Sequence, residues 1–189
     1  MILPYEAVKE VQEFLTAQEI PYVVIGGIAI QRWGDRRLAK DVALTLLVSP
    51  EETERITSLL TQRFIPRVHK VHQFVQSTRV LPVTASNGCE VDFSFALPGY
   101  EEFLLERSVV FEPSQGVTIR ICSAEDLIIH KAVAGRPQDI ADIRGVLNRH
   151  GDNLDVAYIR LWLEDFSLIL ETDEVVKRFE QAYEQWRNC

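Results

Sequence analysis

The residue types with chemical potential gather first around Gly26-Gly27-Ile28-Ala29. A strand-like stretch, Pro21 to Ile25, runs straight into the two glycines, and Ile28, Ala29 and Ile30 suit a short helix packed on a sheet. Paired glycines permit positive φ and let a backbone approach a ligand with no Cβ in the way. The helix that follows would aim its free N–H groups at that ligand, an arrangement that suits an anion. Arg32, Arg36, Arg37 and Lys40 come next, and Asp41 opens a second strand, Asp41-Val42-Ala43-Leu44-Thr45. A glycine turn, a basic connection and a carboxylate at a strand start together point to phosphate plus metal. Gly26, Gly27 and the basic run Arg32, Arg36, Arg37 and Lys40 stand on the phosphate side of that pairing and Asp41 on the metal side.

A second carboxylate follows on a later strand. Ser86-Asn87-Gly88 is a hairpin turn leading into Cys89 to Phe95. Side chains alternate along a strand, so Val91, Phe93 and Phe95 share one face and Glu90, Asp92 and Ser94 the other. Alone, that polar face reads as solvated; after the Asp41 strand, Asp92 becomes a candidate catalytic carboxylate and metal ligand. Further on, Ser123 is expected to cap a helix, with Asp126 completing a capping box. On that helix Leu127, Ile128 and Ala132 form the apolar face and Lys131 lies off it. Asp139 and Asp142 are spaced to pair with Arg136 or Arg149 and read as structural, orienting Arg136 or Lys131.

Taken in order, Gly-Gly-x-Ala, an arginine, an aspartate opening a strand, Glu90-Val91-Asp92-Phe93, and Ser123-Ala124-Glu125-Asp126-Leu127 through Lys131, Arg136, Asp139 and Asp142 resemble the nucleotidyltransferase fold. The similarity is to its AbiEii-type toxin and MNT-like branch, and it runs over roughly residues 5 to 149. The resemblance implies an α+β fold: a nucleotidyltransferase-like mixed sheet with flanking helices and a C-terminal helical extension. It implies an enzyme that uses Mg²⁺ (or Mn²⁺) to move a nucleoside monophosphate from an NTP to an RNA, such as a tRNA, or to a protein. Asp41 and Asp92 would be catalytic and would hold the metal, and Gly26, Gly27, Arg37 and Lys131 would bind the nucleotide. An antitoxin protein is an implied partner. One position departs from the pattern. Where the family reads Asp-x-Asp, this chain reads Asp41-Val42-Ala43, and residues 41 and 43 share a strand face. An engineered inactivating substitution and a natural loss of function would both read this way. The transferase is therefore expected to be inactive or impaired as it stands. The alternative is a non-catalytic module on the same fold that binds a nucleotide or a partner.

The elements that must hold these residues follow from periodicity and punctuation. Val8, Val11, Phe14 and Leu15 give Tyr5 to Gln18 a helical apolar stripe. Ser49-Pro50-Glu51-Glu52 opens a helix running to about Arg63. Gln73 to Ala85 reads as one or two strands, with Pro82 marking an edge. Val109 to Phe111 and Val117 to Ile121 read as two short strands. Gly135-Arg136-Pro137 breaks one helix before another, and Gly151-Asp152-Asn153 reads as a linker to two amphipathic helices. The expected division is a nucleotidyltransferase-like core, 1–122, and a C-terminal helical region, 123–189.

At 189 residues with 47% hydrophobic content, the chain has the composition of an ordinary globular protein. A net charge of −8 argues against a broad basic face for nucleic acid. The second basic stretch, Arg67, His69, Lys70 and His72, reads as a solvated face. Three cysteines without CxxC spacing suit reduced thiols in a cytoplasmic setting. Met1 to Tyr5 carries no secretory signature, and the apolar runs are too short to span a bilayer.

Overall fold

The computed structural model describes residues 3–35, 37–96 and 99–188. Met1 and Ile2 at the start, Arg36 of the basic run, and Cys189 therefore lie outside the described residues. The described residues of 1–28 and 38–122 pack into one unit, and those of 29–37 and 123–189 into another.

The first unit is built on a seven-stranded mixed sheet in the order β3-β4-β5-β2-β1-β7-β6. Its strands are β1 (Tyr22–Ile25), β2 (Val42–Leu46), β3 (Ile65–Pro66), β4 (Val80–Thr84), β5 (Glu90–Phe95), β6 (Val109–Ser114) and β7 (Val117–Ile121), with a helix, α5 (Tyr100–Glu106), between β5 and β6. At its centre β2 runs antiparallel to β1 and parallel to β5. The parallel pair is possible because the chain leaves the sheet between them, through α3 (Thr53–Arg63) and α4 (Val71–Thr78). The fold class matches the α+β expectation. No helix among the described residues is long and apolar enough to cross a membrane.

Alternation does the sorting on β5, where Val91, Phe93 and Phe95 are buried and Glu90, Asp92 and Ser94 are not. Phe93 packs against Phe64 at the end of α3, with ring centroids 5.6 Å apart. Phe64 in turn meets Phe14 of α1 (Leu3–Ala17) edge-on at 5.5 Å. Aromatic pairs prefer such tilted and edge geometries, so three rings tie the helices to one face of the sheet. The opposite face of β5 is thereby left to its polar residues.

Two sequence expectations change here. Residues 71–78 form a helix, α4, and only 80–84 are strand. Val71, Phe74, Val75 and Thr78 have helical spacing, and that spacing wins over the strand preference of their types. Pro82 is one strand in from the edge, because two-residue β3 pairs outside it. That ladder ends at Val83, so no strand residue pairs with Pro82 on its outer side. At the other margin β6 pairs with β7 through an irregularity between Phe111 and Ser114.

The second unit is helical: α6 (Ala124–Ala134), α7 (Pro137–His150), α8 (Val156–Ile169) and α9 (Glu174–Arg187) pack on one another. Ser123 caps α6 by accepting from the Asp126 N–H at 3.1 Å. The reciprocal half of the expected capping box takes another form, because the Ser123 hydroxyl donates to the Asp126 carboxylate at 2.6 Å. Gly135, at φ +65°, ends the helix, and Pro137 starts the next. Between the units in sequence, α2 (Gly26–Trp33) begins in the first and continues in the second.

Candidate active site

The glycine pair lies where β1 turns into α2. Gly26 has φ +66°, a backbone conformation side chains disfavour, and a Cβ built on it would meet the Ala43 Cβ at 3.3 Å. A Cβ on Gly27 would lie 3.3 Å from the Ala39 Cβ and 3.9 Å from Asp41 Oδ1. Ile25 is the register partner of Ala43 across β1 and β2, so the turn stands over the start of β2. On the other side of β2, Ala43 is the register partner of Asp92. Asp41 is two positions before Ala43, and its charge acts on Asp92. Gly26, Gly27, Asp41, Ala43 and Asp92 thus converge on one patch of the first unit.

A residue that the sequence does not single out belongs there too. Arg67 Nη2 donates to Asp92 Oδ1 at 2.5 Å, and Nη1 lies 3.2 Å from Glu90 Oε2. Its Nε donates to the Val83 carbonyl at 3.1 Å and its backbone N–H to that of Pro82 at 2.9 Å. The only sequence signal was the basic run after β3. The pairing itself spans 25 residues and depends on a strand register that composition does not reveal. Burial pushes the Asp92 carboxyl above the usual carboxylate range; Arg67 draws it back, and Asp41 and Glu90 push it up again. The upward displacement beside an arginine is therefore set first by burial, which disfavours the charged carboxylate.

Arg37 and Lys131, the other expected phosphate ligands, belong to the second unit. Lys131 is buried, because α6 is covered on nearly all sides, and it does not lie exposed off an apolar face as its spacing suggests. Its Nζ is 2.7 Å from Asp139 Oδ1 and 2.8 Å from Asp142 Oδ2. Arg37 grips Asp142 with two parallel bonds of 3.0 and 2.9 Å. Arg136 donates through Nε to Asp139 Oδ2 at 2.7 Å. Asp139 and Asp142 are the orienting carboxylates expected of them, and here Arg37 and Lys131 both spend their charge on that network.

Mg²⁺, the ion the resemblance implies, asks for hard oxygen donors in near-octahedral array at about 2.0–2.1 Å. This patch offers Asp41 and Asp92, presents a methyl group at position 43, and commits Asp92 to Arg67. Among the described residues no group of three or more His, Cys, Asp or Glu side chains is placed to hold a metal ion. The donor set is thus one carboxylate short of the one the resemblance implies, with Asp41 and Asp92 left as the expected ligands. Cys89, buried beside this patch, has its thiol pushed up by burial and by Asp41 and Glu90, which makes it a poor thiolate ligand.

No protein-family model matches the chain, and a comparison with curated proteins finds no match either. Among solved structures, the chain is similar to an antigenic nucleotidyltransferase-like protein from Paracoccidioides brasiliensis. The two are 15% identical with a TM-score of 0.54, over 93% of this chain and 91% of that one. It is also similar to the antibiotic-resistance factor ANT(2'')-Ia, at 14% identity and a TM-score of 0.58, over 88% of this chain and 94% of that one. Likeness at this level of identity shows the fold: the architecture is nucleotidyltransferase-like.

Proposed function

We propose that the chain is a nucleotidyltransferase of the AbiEii-type, MNT-like branch whose transfer step is disabled by Ala43. In this reading the Gly26-Gly27 turn receives the phosphates of an NTP through backbone N–H groups, as nests and helix starts do. Asp41 and Asp92 flank the place where the α-phosphate would meet an acceptor hydroxyl of an RNA, such as a tRNA, or of a protein. When bound, a divalent ion supplies charge neutralisation at that phosphate. With Ala43 in place of a carboxylate the ion would bind weakly, so nucleotide binding without appreciable turnover is the expected state. A cytoplasmic location and an antitoxin partner belong to the same reading.

The observation that carries it is the register of Ala43 with Asp92, two residues after Asp41 and under Gly26. A carboxylate at 43 would complete a group of three at the mouth of the glycine turn. The nucleotidyltransferase-like fold supports the same class of chemistry, though fold by itself leaves the acceptor open. A second reading, a binding module with no catalytic role, is favoured by the Arg67–Asp92 pair, which satisfies Asp92 without a substrate.

The test is Ala43→Asp, assayed with α-phosphate-labelled NTPs against bulk tRNA and against protein acceptors. Label transfer in the variant and little in the unaltered chain is the expected result. Equal transfer by both proteins would overturn the role of Ala43. Nucleotide binding with transfer by neither would favour the binding module, and absence of nucleotide binding in both would overturn the nucleotide site itself.

A further inference from the structure

Arg67 has no part in the transfer chemistry above, yet it is held by both its backbone and its guanidinium. Its backbone N–H and its Nε are both tied to carbonyls of β4, at Pro82 and Val83. Pro82 and Thr84 are the register partners of Asp92 and Glu90. The arginine therefore crosses β4 and lays its two terminal nitrogens against the two carboxylates that β5 presents on this face, at 2.5 and 3.2 Å. A guanidinium stays charged at any working pH, and its planar fork matches carboxylate oxygens. Its anchoring is independent of the carboxylates, so the charge stays in place even when they are perturbed.

We propose that Arg67 is the resident cation of this site, a latch that occupies Asp92 and Glu90 and shuts a divalent ion out of them. Position 43 removes one ligand from the patch, and Arg67 engages Asp92 together with the neighbouring Glu90. A divalent ion approaching Asp92 meets a fixed positive charge at contact range. Like charges about 4 Å apart repel appreciably even at the dielectric of bulk water, and twice as strongly when one is divalent. Neutralising residue 67 should accordingly tighten cation binding by at least about tenfold. The inference concerns which cation the carboxylates hold, so it stands or falls independently of nucleotide transfer.

The experiment titrates Mn²⁺ alone into the full chain, followed by its paramagnetic resonance signal, with the fold of each protein checked by its thermal melt. The unaltered chain is expected to show at most weak binding, and Arg67→Gln at least about tenfold tighter binding. Arg67→Lys, which keeps the charge, should resemble the unaltered chain, and adding Asp92→Asn to Arg67→Gln should cancel the gain. Arg67→Met, which keeps an apolar stem over β4, repeats the comparison if Arg67→Gln loses its cooperative melt. Neutral variants that bind Mn²⁺ no tighter than the unaltered chain would overturn the latch. So would a gain that survives Asp92→Asn.

Discussion

Lys131→Met separates a structural lysine from one that serves a nucleotide phosphate. Lys131, Asp139 and Asp142 are 7%, 1% and 4% exposed at their side chains, so the ammonium and both carboxylates are paired out of contact with bulk water. Burial pushes both carboxyls up, but hydrogen bonds from Arg136 and Lys131 to Asp139, and from Arg37, Lys131 and Gln138 to Asp142, hold both below the usual range. Breaking a buried pair from one side costs about 3–5 kcal/mol, because a charge is left without its partner. Here each carboxylate keeps a guanidinium, which argues for the lower end, about 3 kcal/mol. For a chain of this size, that lowers the melting temperature by about 6–12 °C at neutral pH. The pH dependence has a definite sign. Carboxyls with depressed folded-state values stabilise the fold above their unfolded value of about 3.9, and that contribution is lost as pH falls through the folded values. Without Lys131 the folded values rise, so acid unfolding should begin at higher pH, and the gap between the two proteins should narrow as pH falls. Calorimetric melts from pH 7 down to pH 3, with nucleotide titrations in parallel, measure both effects. A variant that melts with the unaltered chain but loses nucleotide affinity would refute the argument and return Lys131 to the phosphates.

Two further outcomes follow from backbone strain and from burial. Gly26→Val forces a branched residue to φ +66°, with its Cβ 3.3 Å from that of Ala43, at a strain of about 1–3 kcal/mol. A cooperative melt at lower temperature and a loss of NTP affinity by calorimetry are expected, whereas a folded variant with unchanged affinity would make the turn purely structural. Burial pushes the Tyr22 phenol up to about 12, with Arg120 opposing it. Its stabilising effect is full below about pH 10 and is lost as pH rises through the folded value, so Tyr22→Phe should resist alkaline unfolding better and lose the latest phase of the phenolate absorbance titration.

How much of this was legible in the chain depends on how local each feature is. The turn from β1 into α2, the β4–β5 hairpin, the alternation on β5 and the Gly135 helix stop are encoded within a few residues, by φ preferences and period-two patterning. The short α4 was obscured because Val71, Val75 and Thr78 are strand-preferring types set at helical spacing. The burial of Lys131 is not legible from spacing, because a helix packed on several sides loses the one-face signature on which periodicity rests. Arg67 was beyond the reach of local pattern altogether. Its partners lie on the strand beyond the one that anchors it, and only the pairing of β4 with β5 brings the carboxylates under its guanidinium. The register of Ala43 with Asp92 is of the same kind, since the parallel pair closes only after α3, β3, α4 and β4 have been inserted between its strands.

The margins of the sheet bear on how copies of the chain meet one another. An open margin offers unpaired N–H and C=O groups that invite a strand from a second molecule, the first step towards aggregation. Here one margin is a two-residue strand ending in Pro66, which has no N–H to give. The other, β6, is bent by its irregularity and carries Pro113. Ile65 and Val110 are exposed there, at 71% and 67%, so both margins carry the apolar side chains that would stabilise an intermolecular ladder. The prolines, the short length of β3 and the bend of β6 deny that ladder its continuity. The net charge of −8 adds long-range repulsion between copies. These features oppose growth of the sheet past its own seven strands.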